Sequence, residues 1–190
     1  MSKDRKQIIL QSLAKLLEER DATKVTTAVL ATESGITEAA LYRHFPSKRS
    51  IFLELFSFCD KTIFQKVGEI KKEKDIDAEE KVRLIFFFYA IFLEKNKGFA
   101  RILSREALGP NEQNVIDSVN QFYERLELSI KQLLSSKKDS LQLTAGQSAH
   151  LIISIMEGMI SRFIRNKFKE IPSSYIESYW SLISSCIFKS

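Results

Sequence analysis

Apolar residues recur at helical spacing along almost the whole chain. Ile8, Ile9, Leu13, Leu16 and Leu17 form one stripe and predict a first helix over about Asp4 to Arg20. The polar stretch DATKVTT interrupts it. Thr26 or Thr27 is then placed to cap a short second helix with Val29, Leu30 and Ala31 as its apolar positions. Ser34-Gly35 breaks that helix, and Gly35 suits a left-handed turn. Thr37 caps a third helix that Glu38 to Phe45 fill. Pro46 ends it, and Ser47 caps a long fourth helix toward Lys74, with Ile51, Phe52, Leu55, Phe58, Ile63, Val67 and Ile70 on its apolar side.

Beyond the charged break KKEKDIDAEEK the pattern predicts a phenylalanine-rich helix (about Ala78 to Lys95), a short one (about Phe99 to Leu108) and a long one (about Asn111 to Ser135). The linker SSKKDS leads to two more, about Thr144 to Lys169 and Ser173 to Phe188, split by Pro172. The expectation is an all-α fold of about nine helices without internal repeats. The character changes near Ser47, which predicts a three-helix head over 1–47 and a larger helical body over 48–190.

Composition narrows the function. Six glycines and three prolines in 190 residues disfavour turn-rich β architectures. Cys59 and Cys186 lie far apart and read as reduced thiols, and with only His44 and His150 beside them no metal-ligand spacing arises. No Ser/His/Asp set, carboxylate pair or phosphate loop stands out, so neither catalytic residues nor a cofactor are expected. The N-terminus has no hydrophobic segment of signal-peptide length, and the longest apolar run, Leu84 to Leu93, is about half of a bilayer span. A cytoplasmic protein without membrane insertion is expected. The net charge of +5 admits a polyanionic partner without requiring one.

The chemistry concentrates in TEAALYRHFPSK, Thr37 to Lys48. Two helices around a glycine turn form a helix-turn-helix, whose second helix enters the major groove of duplex DNA. Thr37 and Glu38 stand at the end of that helix that reaches bases. Ala39 is small enough for close approach, and its methyl can touch a thymine methyl. Tyr42, His44 and Lys48 can donate to phosphates, Thr26 and Thr27 can do so at the second helix, and Lys24 adds charge. Arg43 is either a DNA contact or a solvated side chain. Glu38 would repel phosphate, so it needs a cytosine amino group or a basic neighbour. Leu41 and Phe45 belong to the head's core.

Ile8 to Phe58 resembles the DNA-binding domain of the TetR family, on the segment ATESGITEAALYRHFPSKRSIF. The resemblance implies that Thr27, Thr37, Ala39, Tyr42, His44 and Lys48 lie at the DNA surface. ILQSLAKLLE, TTAVLA, RILSREAL, NQFYERLE and EGMISRFIRNKFKEIP extend it to the TetR-type nucleoid occlusion factors. Such factors bind chromosomal sites and, while DNA-bound, antagonise the tubulin-like division protein FtsZ. A nucleoid-associated protein is therefore implied, with the FtsZ C-terminal tail docking between the fourth and fifth helices. The matching positions are Phe58, Lys66, Phe88, Lys95 and Asn96; Phe88 replaces a smaller aliphatic, and the linker Lys71 to Lys81 is one residue longer.

The last two helices mix Ser154, Gly158 and Ser161 with Ile152, Ile155, Met159 and Phe163. A glycine inside a helix costs about 1 kcal/mol relative to alanine, so Gly158 suggests close approach of another helix. A twofold four-helix bundle, as in TetR-family dimers, would use Ile155, Gly158, Met159, Phe163 and Trp180. One such homodimer, or two per DNA site, would present paired reading heads to a near-palindromic sequence. The alternative is a ligand-responsive repressor in which Phe86, Phe87, Phe88 and Phe92 line a pocket for an apolar effector.

Overall fold

The computed structural model describes residues 2–19, 24–108 and 112–189. The expected helix ends at Arg20 and Asn111, and the first three residues of DATKVTT, lie outside them. Nine α-helices form among the described residues: α1 (Ser2–Glu19), α2 (Thr27–Glu33), α3 (Glu38–His44), α4 (Lys48–Lys72), α5 (Ala78–Lys95), α6 (Lys97–Leu103), α7 (Gln113–Ser135), α8 (Ala145–Arg165) and α9 (Ile176–Ile187). Short 3-10 turns occupy Lys138–Ser140 and Pro172–Ser174. One isolated bridge joins Leu141 and Phe188.

Two helices end earlier than their apolar pattern predicts. α8 stops at Arg165, where Lys167 (φ 52) and Phe168 (φ 61) take left-handed backbone conformations. Phe168 folds back edge-on against Phe163, with ring centroids 4.9 Å apart, and its N–H donates to the Phe163 carbonyl at 2.9 Å. Arg162 donates to Glu170 across the same turn at 2.9 Å. The apolar contact replaces the glycine that usually closes such a turn. α6 stops at Leu103, followed by Arg105 at φ 66.

The helices gather into two compact units. The first holds residues Met1–Lys61 and Asn96–Val119, the second Thr62–Lys95 and Asn120–Ser190. In the first, the α1 stripe of Ile9, Leu13, Leu16 and Leu17 has no exposed surface. Gly98 of α6 approaches α1 so closely that a Cβ there would lie 2.5 Å from the Ala14 carbonyl oxygen. Lys97 pairs with Glu18 beside it at 2.6 Å, and Phe56 packs on Phe99 at 5.7 Å.

In the second unit, α5 buries Val82, Ile85, Phe86, Tyr89 and Leu93. Phe86 packs against Trp180 at 6.0 Å, and Tyr89 stacks on Phe122 at 6.5 Å. The Tyr89 and Tyr123 hydroxyls hydrogen-bond at 3.1 Å, and burial pushes the Tyr89 hydroxyl well above its usual pKa. Phe86 is therefore closed in by its own chain, where the sequence allowed an effector pocket. Thr144 and Gln147 form a reciprocal capping box that fixes the start of α8.

Candidate nucleic-acid interface

Two threonines set the entry of the paired short helices. Thr26 and Thr37 are extended, with φ −97° and −77°, and their hydroxyls accept from the Val29 and Ala40 N–H groups at 3.2 Å. Gly35 sits between the helices at φ 66, a conformation glycine adopts without strain. Leu30, Ala31, Leu41 and Phe45 turn inward. The outer face is left to Thr37, Glu38, Ala39, Tyr42 and Arg43, all exposed, with His44 half-buried. Lys24 and Thr26 are exposed beside it, and Thr27 is half-buried.

Thr27, Glu38 and Tyr42 meet. The Thr27 hydroxyl donates to Glu38 Oε1 at 2.5 Å and accepts from the Tyr42 hydroxyl at 3.4 Å. Glu38 thus meets a hydroxyl donor in place of the basic neighbour considered from the sequence. The signal for this link was faint, because the two residues sit on different helices and each has a local role of its own.

Ser47 and Ser50 cap α4 reciprocally: the Ser50 N–H donates to Ser47 Oγ at 3.1 Å and the Ser47 N–H to Ser50 Oγ at 3.2 Å. Lys48, at the first position of α4, holds its ammonium 3.9 Å from Glu112 and 5.3 Å from the centre of the Phe52 ring. Glu112 is only 7% exposed. A carboxylate beside this expected phosphate anchor was not foreseen. Lys6 lies over the Phe45 ring at 5.0 Å, a cation–π contact equally absent from the sequence reading.

The positions matched to the FtsZ tail are distributed as follows. Phe58, 67% exposed on α4, and Asn96, preceding α6, belong to the first unit. Lys66, Phe88 and Lys95 belong to the second. Lys66 pairs with Glu69 at 3.2 Å, Phe88 packs on Phe92 at 5.7 Å with both half-buried, and Lys95 is exposed at the end of α5.

The expected dimer set divides. Ile155, Gly158 and Met159 line an apolar groove of about 430 Å³ with Leu151, Tyr179, Leu182, Ile183 and Cys186. Phe163 and Trp180 do not line this groove. Phe163 has no exposed surface and Trp180 only 7%, because Phe168 and Phe86 cover them within the same chain.

Among the described residues, no helix is long and apolar enough to cross a membrane, and no group of three or more His, Cys, Asp or Glu is placed to hold a metal ion.

Residues 9–55 match the bacterial regulatory proteins of the tetR family, and residues 77–187 match the SlmA-like, tetracyclin repressor-like C-terminal domain. The nucleoid occlusion factor SlmA of Vibrio cholerae serotype O1 is 36% identical, covering 97% of this chain and 96% of its own. That of Marinobacter nauticus is 35% identical, covering 96% and 95%. Among solved structures, NalD, the secondary repressor of the MexAB-OprM multidrug efflux pump in Pseudomonas aeruginosa, superposes with a TM-score of 0.82 at 15% identity, covering 99% of both chains. FadR of Bacillus subtilis, solved with stearoyl-CoA, gives 0.74 at 17% identity, covering 95% of this chain and 98% of its own. The two solved structures share the fold. The full-length identity goes further: this chain is a DNA-binding, non-enzymatic member of the TetR family, of the nucleoid occlusion factor SlmA type.

Proposed function

We propose that the chain sits on near-palindromic chromosomal sites as a homodimer at the nucleoid and, while bound there, restrains FtsZ-dependent septum formation. The observation that carries this is the identity to nucleoid occlusion factors over nearly the whole chain, joined to a reading face that is exposed and held by its own hydrogen bonds. Thr37, Glu38 and Ala39 face base edges; Lys24, Thr26, Thr27, Tyr42, Arg43, His44 and Lys48 serve the backbone. Phosphate contacts of this kind release counterions, so affinity falls steeply with salt.

The groove between α8 and α9 is the dimer face. Leu182 is 66% exposed there, and beyond its own helix backbone and chain neighbours nothing lies within 4 Å of a Cβ built at Gly158, which leaves room for a partner helix. On the second unit, Lys66, Phe88 and Lys95 supply apolar surface and positive charge for the FtsZ tail. Phe58 and Asn96, in the first unit, are the remaining positions that the resemblance assigns to that tail.

The test is fluorescence anisotropy with an FtsZ C-terminal tail peptide, with and without cognate DNA, for wild type and Lys95→Asp. Saturable binding to wild type, weakened about tenfold or more in the variant while DNA affinity holds, is expected. Equal loss of both activities would remove the case for separate surfaces. No peptide binding by the wild type would leave a DNA-binding regulator without this partner.

A further inference from the structure

The donor inventory of the reading face identifies what it reads. A hydroxyl carries one proton. Thr27 gives its proton to Glu38 Oε1 at 2.5 Å and receives that of Tyr42 at 3.4 Å. The chain of donors therefore runs Tyr42 to Thr27 to Glu38 and ends on a carboxylate oxygen that accepts. Among the described residues no protein donor engages Glu38 Oε2, and no basic side chain pairs with Glu38. The exposed residue sits at the first position of α3, with Thr37 capping the helix just before it.

An acceptor fixed at the groove end of a recognition helix selects a donor. In the major groove guanine offers only N7 and O6 and thymine only O4 and its methyl group, all unable to donate. Cytosine offers the N4 amino group, and adenine the N6 amino group beside its own N7 acceptor. The cytosine amino group has a C–H on its free side. The adenine amino group is flanked by acceptors on both sides, one of which would face the second carboxylate oxygen. The observed tether also fixes the acid in place, because Thr27 holds one oxygen from a neighbouring helix.

We propose that Glu38 is a specificity-determining residue that requires a cytosine at one position of each half-site, and that Thr27 is its positioning residue. This rests on the reading of α3 as the recognition helix. It also reassigns Thr27: its proton is committed to Glu38, so the phosphate-donor role moves to Tyr42. The longer 3.4 Å contact lets the Tyr42 hydroxyl turn to a phosphate without breaking the Thr27–Glu38 bond.

The experiment is selection of bound duplexes from a randomised library by the full chain, followed by titration of single-base variants of the selected site. Wild type, Glu38→Gln, Thr27→Val and Thr27→Ser are compared, each checked by its melting curve. Wild type should select a symmetry-related pair of C·G positions, with each replacement costing roughly fivefold to more than a hundredfold in affinity. Glu38→Gln should shift that position toward adenine, since an amide bonds adenine N6 and N7 together. Thr27→Val should flatten the preference there alone, and Thr27→Ser should retain it. An unchanged base preference in Glu38→Gln, or uniform weakening on all sequences, would overturn the proposal and leave Glu38 as a link between helices. Absence of any sequence preference in the wild type would instead overturn the recognition-helix reading itself.

Discussion

Two faces of this chain, each proposed above to meet a macromolecule, are built on opposite rules. The α2–α3 face is polar and its groups constrain one another: Thr37 holds the Ala40 N–H, Thr27 holds Glu38, and Tyr42 leans on Thr27. The α8–α9 face is apolar, with Leu151, Ile155, Met159, Leu182 and Ile183 around Gly158. A polyanion with a fixed pattern of donors and acceptors is recognised by groups held in place before it arrives. A partner helix is recognised by apolar area and shape, which need no such hydrogen bonds. The difference teaches where each face is vulnerable: one to lost orientation, the other to a charge.

The largest effect should come from placing a charge on the apolar face. Leu182 is 66% exposed in the single chain and lines the groove. In Leu182→Asp, two carboxylates per dimer would lose water without gaining partners. The dimer dissociation constant should rise by two orders of magnitude or more, since an unpaired buried charge costs several kcal/mol. Sedimentation velocity reads this directly, and affinity for a palindromic site should fall with it. An unchanged dimer would remove this groove as the interface.

Much of the scaffold behind both faces was legible because its signals are local. Gly35, the Thr26 and Thr37 caps and the stop at Pro46 each act within one turn of the residue that carries them. What was not legible depends on residues distant in sequence. The Thr27–Glu38 bond joins two helices, and the Gly98–Ala14 approach joins α6 to α1. The burial of Phe163 and Trp180 within the chain was not legible, because an apolar stripe does not say which apolar surface covers it. Phe168 and Phe86 of the same chain do so. The end of α8 was missed because left-handed backbone at Lys167 and Phe168 carries no glycine.

A smaller effect should separate the faces from the other side. Gly98→Ala puts a Cβ 2.5 Å from the Ala14 carbonyl oxygen, against backbone that cannot rotate away. Helices α1 and α6 must move apart, at a cost of about 1–3 kcal/mol. Thermal unfolding should show this loss. Both helices support the unit that carries the reading face, so DNA affinity should drop while the dimer persists in sedimentation. A variant with wild-type melting would mean that α6 shifts freely along α1.

The smallest change tests a site belonging to neither face. Asp77 caps α5: its carboxylate accepts from the Glu80 N–H at 2.9 Å and from Lys137 at 2.5 Å. The Glu80 N–H first, and Lys137 second, hold its pKa below the usual 3.8. A depressed folded-state pKa stabilises the fold above the unfolded value and loses that contribution as pH falls through the folded one. Asp77→Ala should therefore cost about 1 kcal/mol at neutral pH, the usual worth of such a cap. The gap from wild type should stay level from pH 8 down to about 5 and narrow only below about 4. DNA affinity and dimerisation should not change, because Asp77 touches neither surface. A gap that instead closed near pH 6 would assign the effect to a titrating group other than this carboxylate.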